Sequence, residues 1–170
     1  MTKKAFDNIV VLDMTRYLPG GYSTQVFADL GAEVIKVEDT NRGDFCRHEP
    51  PLKNGSSYYF TALGRNKKSL SINLKNNEGL QAFYWLAHEA DIVIESFRPG
   101  GAKKLKIDYE TLHEINPRLI YCSLSSYGQE DPRSLKPLHD LNIQAQSGYL
   151  SLNGGNKAPL HLCDLATAMV

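Results

Sequence analysis

The sequence predicts an α/β fold, a parallel sheet with helices on its faces. Two observations carry this. Apolar runs of strand length recur along the chain, and helical patterns separate most of them. The first unit, residues 9–38, reads strand, glycine-containing turn, helix, strand, which is a βαβ unit.

Taken in order, Ile9–Asp13 is a short apolar run of buried-strand type. Pro19-Gly20-Gly21 reads as a break, and glycines before a helix let backbone N–H groups approach a phosphate. A helix marked by Val26, Phe27, Leu30 and Ala32 follows, with Gly31 near its end. Glu33–Glu38 is the second strand. Residues 39–57 are polar and rich in turn formers, a long surface loop of the kind that often carries function. Tyr58-Tyr59-Phe60 is expected to pack, and Arg65–Lys68 to form a solvated basic turn. Ser69–Leu74 alternates as a strand does. A helix starts at Asn76–Gly79 and runs through Leu80, Phe83, Tyr84, Leu86 and Ala87. Asp91–Glu95 is a strand, and the turn Ser96–Gly101 places Arg98 at its carboxyl end, where open α/β sheets hold ligands. Tyr109–Ile115 is a helix stopped before Pro117, and Arg118–Leu124 is the last strand. Helices are expected from His139-Asp140 through Leu150 and from Asp164 through Val170. The whole is a Rossmann-like sheet.

Composition bounds the function. A chain of 170 residues fits one domain with a sizeable core. Its 42% hydrophobic and 22% charged residues are ordinary for a globular protein. Nineteen Lys and Arg balance nineteen Asp and Glu, which argues against a polyanion-binding specialist, so no nucleic-acid partner is expected. The start, Met1–Asp7, leads into no apolar signal segment, and no apolar run approaches membrane-spanning length, so no membrane partner is expected. Cys46, Cys122 and Cys163 are far apart and make neither a disulfide framework nor a metal pair. A cytoplasmic home is the simplest expectation. No metal is expected, and without Gly-x-Gly-x-x-Gly no nicotinamide or flavin either.

Two acid–base groups stand out at the starts of the last two helices, His139 and Asp164. An aspartate before a small apolar run is an N-cap candidate, and the helix N-terminus would keep it ionised. Most such aspartates only cap. Arg98, Lys103, Lys104 and Lys106 form a positive stretch that coats a solvated face or meets a phosphorylated ligand.

In their order, several segments resemble the family III CoA-transferases, a family that includes formyl-CoA transferase, carnitine-related CoA transferases and α-methylacyl-CoA racemase. They are Val11-Leu12-Asp13, Ala28–Glu38, Arg65–Ser69, Ile94–Gly100, Asn116–Ser123, Tyr127-Gly128-Gln129, His139–Asn142 and Asp164. The resemblance implies acyl-CoA and a small carboxylic acid as substrates, with coenzyme A carried between them. It implies CoA contacts from Leu18, Arg42, Ile72, Lys75, Phe97, Arg98 and Lys104. Relatives often carry arginine directly after the Val-Ile-Lys-x-Glu segment. This chain has Asp39 there, and Arg42 is the candidate replacement.

Asp164 matches the family's catalytic aspartate. The resemblance implies that its carboxylate attacks the acyl-CoA carbonyl to give a mixed anhydride, which CoA thiolate converts to an aspartyl-CoA thioester. Gly154-Gly155 is a candidate oxyanion donor. His139 is similar to the racemase, where transferases often have tyrosine, and Leu18 stands where formyl-CoA transferase has glutamine. CoA transfer is therefore the first expectation, and α-methylacyl-CoA racemisation by His139 and Asp164 the second. The family also has a second, smaller domain, a returning C-terminal segment and an interlocked homodimer. The chain is expected to be a single Rossmann-like CoA-binding domain over 1–170, truncated before that second domain. A third expectation is accordingly a non-catalytic CoA-binding remnant.

Overall fold

The computed structural model describes residues 3–152 and 160–169. The first unit is β1 (Val10–Met14), α1 (Tyr17–Asp29) and β2 (Glu33–Glu38). A 3₁₀ turn at Phe45–His48 and a hairpin of β3 (Leu52–Lys53) and β4 (Ser56–Ser57) follow. Next come α2 (Tyr58–Gly64), β5 (Lys68–Ser71), α3 (Asn77–Glu89) and β6 (Ile92–Glu95). Then come α4 (Gly101–Lys104), α5 (Tyr109–Ile115) and β7 (Ile120–Ser123). The last helices are α6 (Asp140–Gln146), α7 (Tyr149–Leu152) and α8 (Leu162–Met169).

The sheet runs β5-β2-β1-β6-β7 with every pair parallel. Strand order reverses at β1, so the crevice between the carboxyl ends of β1 and β6 is the natural ligand position. Both faces are covered, which is why the strands read as apolar runs rather than as strict alternation. Leu12, Met14 and Val93 pack with Phe83 and Ala87 of α3 and Leu112 of α5 on one face. Val11, Val34 and Ile94 pack with Ala28 of α1 on the other. Phe83 is fully buried, a stabilisation of about 1.5–3 kcal/mol.

Several local readings are corrected. Pro19-Gly20-Gly21 does not break the chain; it lies inside the first turns of α1. Proline costs nothing there, because the first N–H groups of a helix have no intrahelical acceptor. The glycines serve packing: a Cβ on Gly20 would overlap the Thr15 side chain, and one on Gly21 would stand 3.0 Å from Leu63 Cδ1. Residues 39–57 are partly ordered into the 3₁₀ turn and the hairpin, whose turn residues Asn54 and Gly55 both take positive φ. The helix expected from Asp140 to Leu150 is split into α6 and α7 at Gly148, whose φ of +80° ends the first piece. The helix α8 starts at Leu162, so Asp164 sits within its first turn and is not its cap. Val170 lies outside the described residues.

A buried charge network ties the N-terminal half together. Asp13, fully buried at the end of β1, accepts from Thr15 Oγ1 at 2.6 Å and Thr24 Oγ1 at 2.6 Å. It also pairs with Lys36 Nζ at 3.3 Å and Lys67 Nζ at 3.1 Å. Lys36 bridges on to Asp44 at 2.9 Å and donates to the Thr15 carbonyl. Glu38 takes both Arg47 donors at 2.6 Å and the Asp44 N–H at 2.7 Å, and Arg47 lies over the Phe60 ring at 3.9 Å. Burial alone would raise the Asp13 carboxyl, but the two lysines and the two hydroxyls outweigh it and hold it at about 2. Glu38 is likewise held at about 2: burial opposes, and the Arg47 guanidinium and the Asp44 N–H prevail. Lys36, desolvated but set between Asp13 and Asp44, is raised, whereas desolvation lowers Lys67, which pairs with Asp13 alone.

Lys36→Met leaves Asp13 and Asp44 short of a buried cation, and a loss of about 3–5 kcal/mol is expected in urea unfolding. Acid should act on the same network. The folded-state values of Asp13 and Glu38 are depressed, so their contribution is complete above the unfolded carboxylate range near pH ~4. It is lost as pH falls from there through about 2. Unfolding midpoints measured between pH 6 and pH 2 should fall steeply in that window, and a flat profile would contradict the assignment.

Candidate active site

The carboxyl ends of β1, β2, β5 and β6 open into a cleft of about 490 Å³. Its walls include Thr15 and Arg16 after β1, residues 39–44 after β2, residues 72–75 after β5, and Phe97 after β6. Local chemistry shapes each wall. Asp39 Oδ1 accepts the N–H groups of Asn41 and Arg42 at 2.8 and 2.9 Å, closing a turn that puts Arg42 on the cleft. The aspartate found where relatives often have arginine thus folds the turn that presents the next cation. Asn73 Oδ1 accepts from the Lys75 N–H at 3.1 Å and sets the third wall. Asn76 then caps α3 through the Gly79 N–H at 2.8 Å. Buried Glu95 accepts the Phe97 N–H and the Ser123 hydroxyl, fixing the turn that carries Phe97. Its carboxyl is raised by burial, only partly offset by those donors.

Of the residues expected to touch CoA, Arg42, Ile72, Lys75 and Phe97 line this cleft together. Leu18, Arg98 and Lys104 stand outside that lining. Leu18 is half-buried in the first turn of α1, Arg98 is exposed in the turn after β6, and Lys104 is exposed at the end of α4.

His139 and Asp164 are brought together at the start of α6 and the first turn of α8, by way of Asp140. Asp140, 5% exposed, accepts the Asp164 N–H on Oδ1 at 3.0 Å. Its Oδ2 accepts the Gln144 amide, which also donates to the Leu160 carbonyl at 2.9 Å. The helix α6 itself is started by His139, whose N–H donates to Asn142 Oδ1 at 3.4 Å. Asp164 is half-buried, and its carboxyl is raised, first by burial and then by Asp140, against the lowering influence of His161 and His139. The expectation of a carboxylate kept readily ionised by a helix end is thereby corrected. Burial and a neighbouring carboxylate outweigh the terminus of a short helix. Cys163, next to it, is raised by burial, which suits a packing role.

One donor atom each of Asp140, His161 and Asp164 lie within 4.8 Å of one another. Both Asp140 oxygens already hold N–H donors, and His161 Nδ1 lies 3.9 Å from Asp164 Oδ2. The candidate oxyanion donors Gly154-Gly155 lie outside the described residues.

Arg16 and Tyr17 join the cleft to this pair. Arg16 lines the cleft, its N–H bonded to Ser96 Oγ at 2.9 Å and its guanidinium 4.5 Å from the Phe45 ring centre. Tyr17 stands edge-on to His139 at 6.3 Å and beside Phe45 at 5.8 Å. Its φ of +62° is left-handed, a strain of about 1–3 kcal/mol that turns up most often at functional sites. Sequence reading missed Arg16, Tyr17 and the clamp role of Asp140. The one local signal was position: the first two follow the strand end and its threonine, and Asp140 follows His139.

Residues 6–170 match CoA-transferase family III. The chain belongs to that family. It is 39% identical to the acetyl-CoA:oxalate CoA-transferase of Acetobacter aceti, over 92% of this chain and 40% of that one. It is 37% identical to the human (Homo sapiens) succinyl-CoA:glutarate CoA-transferase, over 98% of this chain and 39% of that one. The crystal structure of a CAIB/BAIF family protein from Brucella suis superposes with a TM-score of 0.91 at 35% identity, covering 99% of this chain and 48% of that one. The chain thus spans about two fifths of the length of these curated relatives and about half of that solved structure. Among the described residues, no helix is long and apolar enough to cross a membrane.

If the cleft takes CoA, Arg42→Ala and Lys75→Ala should each weaken CoA binding to this chain by about 3–10-fold, as loss of one charge-assisted contact of about 1 kcal/mol implies. Calorimetry at two salt concentrations reads this. Unchanged affinity in both variants would move the ligand elsewhere.

Proposed function

We propose that this chain supplies the CoA-binding and nucleophile-bearing part of an acyl-CoA:carboxylate CoA-transferase. The observation that carries the reading is the adjacency of the cleft and the acid–base pair. Arg16 faces the first, and the next residue, Tyr17, touches His139 of the second. Family membership and the transferase names of its relatives support it.

CoA lies in the cleft with its phosphates toward Arg42 and Lys75 and its thioester directed past Tyr17. An ionised Asp164 oxygen attacks the thioester carbonyl, the C–S bond breaks, and CoA leaves as thiolate. The thiolate then attacks the Asp164 carbonyl of the mixed anhydride and releases the first carboxylate. The acceptor carboxylate attacks the resulting aspartyl-CoA thioester, and the steps reverse to give the new acyl-CoA and free Asp164. A carboxylate whose proton affinity is raised by burial and by Asp140 is the stronger nucleophile once ionised. Asp140 holds the Asp164 backbone in place throughout. His139 stands at the start of α6, edge-on to Tyr17. Leu18, Arg98 and Lys104 complete the CoA contacts from the rim, and the assembly is a homodimer in the cytoplasm.

Racemisation by His139 and Asp164 has the histidine at position 139 in its favour, while the relatives named above are transferases. One incubation separates the two. The purified chain is given a 2-methylacyl-CoA and a carboxylate acceptor in heavy water, then read by mass spectrometry. CoA on the acceptor, no deuterium in the donor and a hydroxylamine-trappable adduct at Asp164 are expected. Asp164→Asn should lower transfer by on the order of 10⁴-fold or more, as loss of a covalent nucleophile does. Deuterium at the α-carbon without CoA movement would replace transfer by racemisation.

A further inference from the structure

Asp140 and Asp164 pose a charge problem that the proposed mechanism leaves open. Two carboxylates share a pocket in which Asp140 is 5% exposed and Asp164 half-buried. Both oxygens of Asp140 are taken by the Asp164 N–H and the Gln144 amide, which are neutral donors. Among the described residues, neither carboxylate has a lysine or arginine within ion-pair distance; the group that reaches Asp164 is His161, Nδ1 to Oδ2 at 3.9 Å. Like charges this close cannot both stay ionised without a counter-charge or a shared proton. A nucleophile needs the first solution, since a shared proton silences it.

Position makes His161 fit for this. It lies three residues before Asp164, so the two side chains occupy one face at the start of α8. It is 70% exposed on its side chain and can take up a proton from solvent without desolvation. Other groups around Asp164 do not replace it. From α6, Asp140 adds negative charge and His139 is engaged edge-on by Tyr17 of α1. From α2, the Tyr59 hydroxyl is pushed up, by burial first and by Cys46 and Asp164 after it, and stays neutral. Cys163 on α8 is a raised, neutral thiol.

The geometry points to His161 as a positioning residue for Asp164: protonated, it is the counter-charge that keeps the nucleophile ionised and directed beside Asp140. This rests on the reading of Asp164 as nucleophile and deepens it. Below the Asp164 midpoint the carboxylate is lost.

The test is a pH titration of the Asp164 carboxyl carbon by NMR in the 170-residue chain, with Asp164→Asn identifying the signal. In His161→Gln the Asp164 midpoint should rise by about one pH unit, the lower end of what an opposite charge at ~4–6 Å achieves. In His161→Lys it should stay at or below the wild-type value, because the fixed cation replaces the imidazolium. A midpoint unmoved in both variants overturns the proposal. A purely structural histidine would change the urea midpoint of the variants and leave the titration alone. The titration needs no turnover. Failure to trap an adduct at Asp164 would sink the nucleophile reading and leave this result standing, and an unmoved midpoint would do the opposite.

Discussion

The carboxylate of Asp13 is the constraint on which the rest of the structure depends. It sits at the end of β1, fully buried, at the strand where sheet order reverses. Its oxygens reach Thr15 and Thr24 on the segments that follow β1, Lys36 on β2, and Lys67 just before β5. A charge in that position is tolerated only when every lone pair has a donor. Each donor in turn fixes a segment. Thr24 aligns α1, Lys36 carries the network to Asp44, and Lys67 anchors the entry to β5. The net stability of such a network against an apolar core is small. What it contributes is a unique geometry for the segments that wall the cleft.

The site follows from that geometry. Thr15 is bound to Asp13, so Arg16 and Tyr17 leave the sheet in one direction only. The close approach of Gly20 to Thr15 keeps α1 low over the strand end. Arg16 then faces the cleft and Tyr17 faces His139. The second part of the site is built independently, by the clamp of Asp140 between Gln144 and the Asp164 N–H. The helix α8 packs along α1, and that packing joins the two halves. The cleft and Asp164 are therefore positioned by separate buried carboxylates, Asp13 for one and Asp140 for the other. Asp13 is saturated with cations and stays ionised, whereas Asp140 meets neutral donors and passes its unbalanced charge to Asp164.

Much of this was legible in the residues. β2 and α5 were placed to the residue, because Glu33–Glu38 and Tyr109–Ile115 have sharp boundaries in turn formers and proline. The parallel order of the sheet followed from helices separating most of the strands. His139 and Asp164 stood out as ionisable groups at helix starts, and the structure places them at the start of α6 and in the first turn of α8. Arg42, Ile72, Lys75 and Phe97 came from the resemblance, and the structure gathers them on one cleft.

By itself the sequence determined the order of the sheet strands and of α1, α3 and α5, the two-sided core, and the family. These depend on local periodicity and on turn chemistry, which act over a few residues. Tertiary structure alone decided the rest. That Gly20 and Gly21 pack a helix rather than cradle a phosphate depends on Thr15 and on Leu63, more than forty residues away. That Arg16 serves the cleft and Tyr17 the acid–base pair depends on how α1 leaves the sheet. That the Asp164 carboxyl is raised depends on its burial and on Asp140, 24 residues earlier. Burial and Coulomb interaction act through space, and no spacing along the chain records which charges will meet.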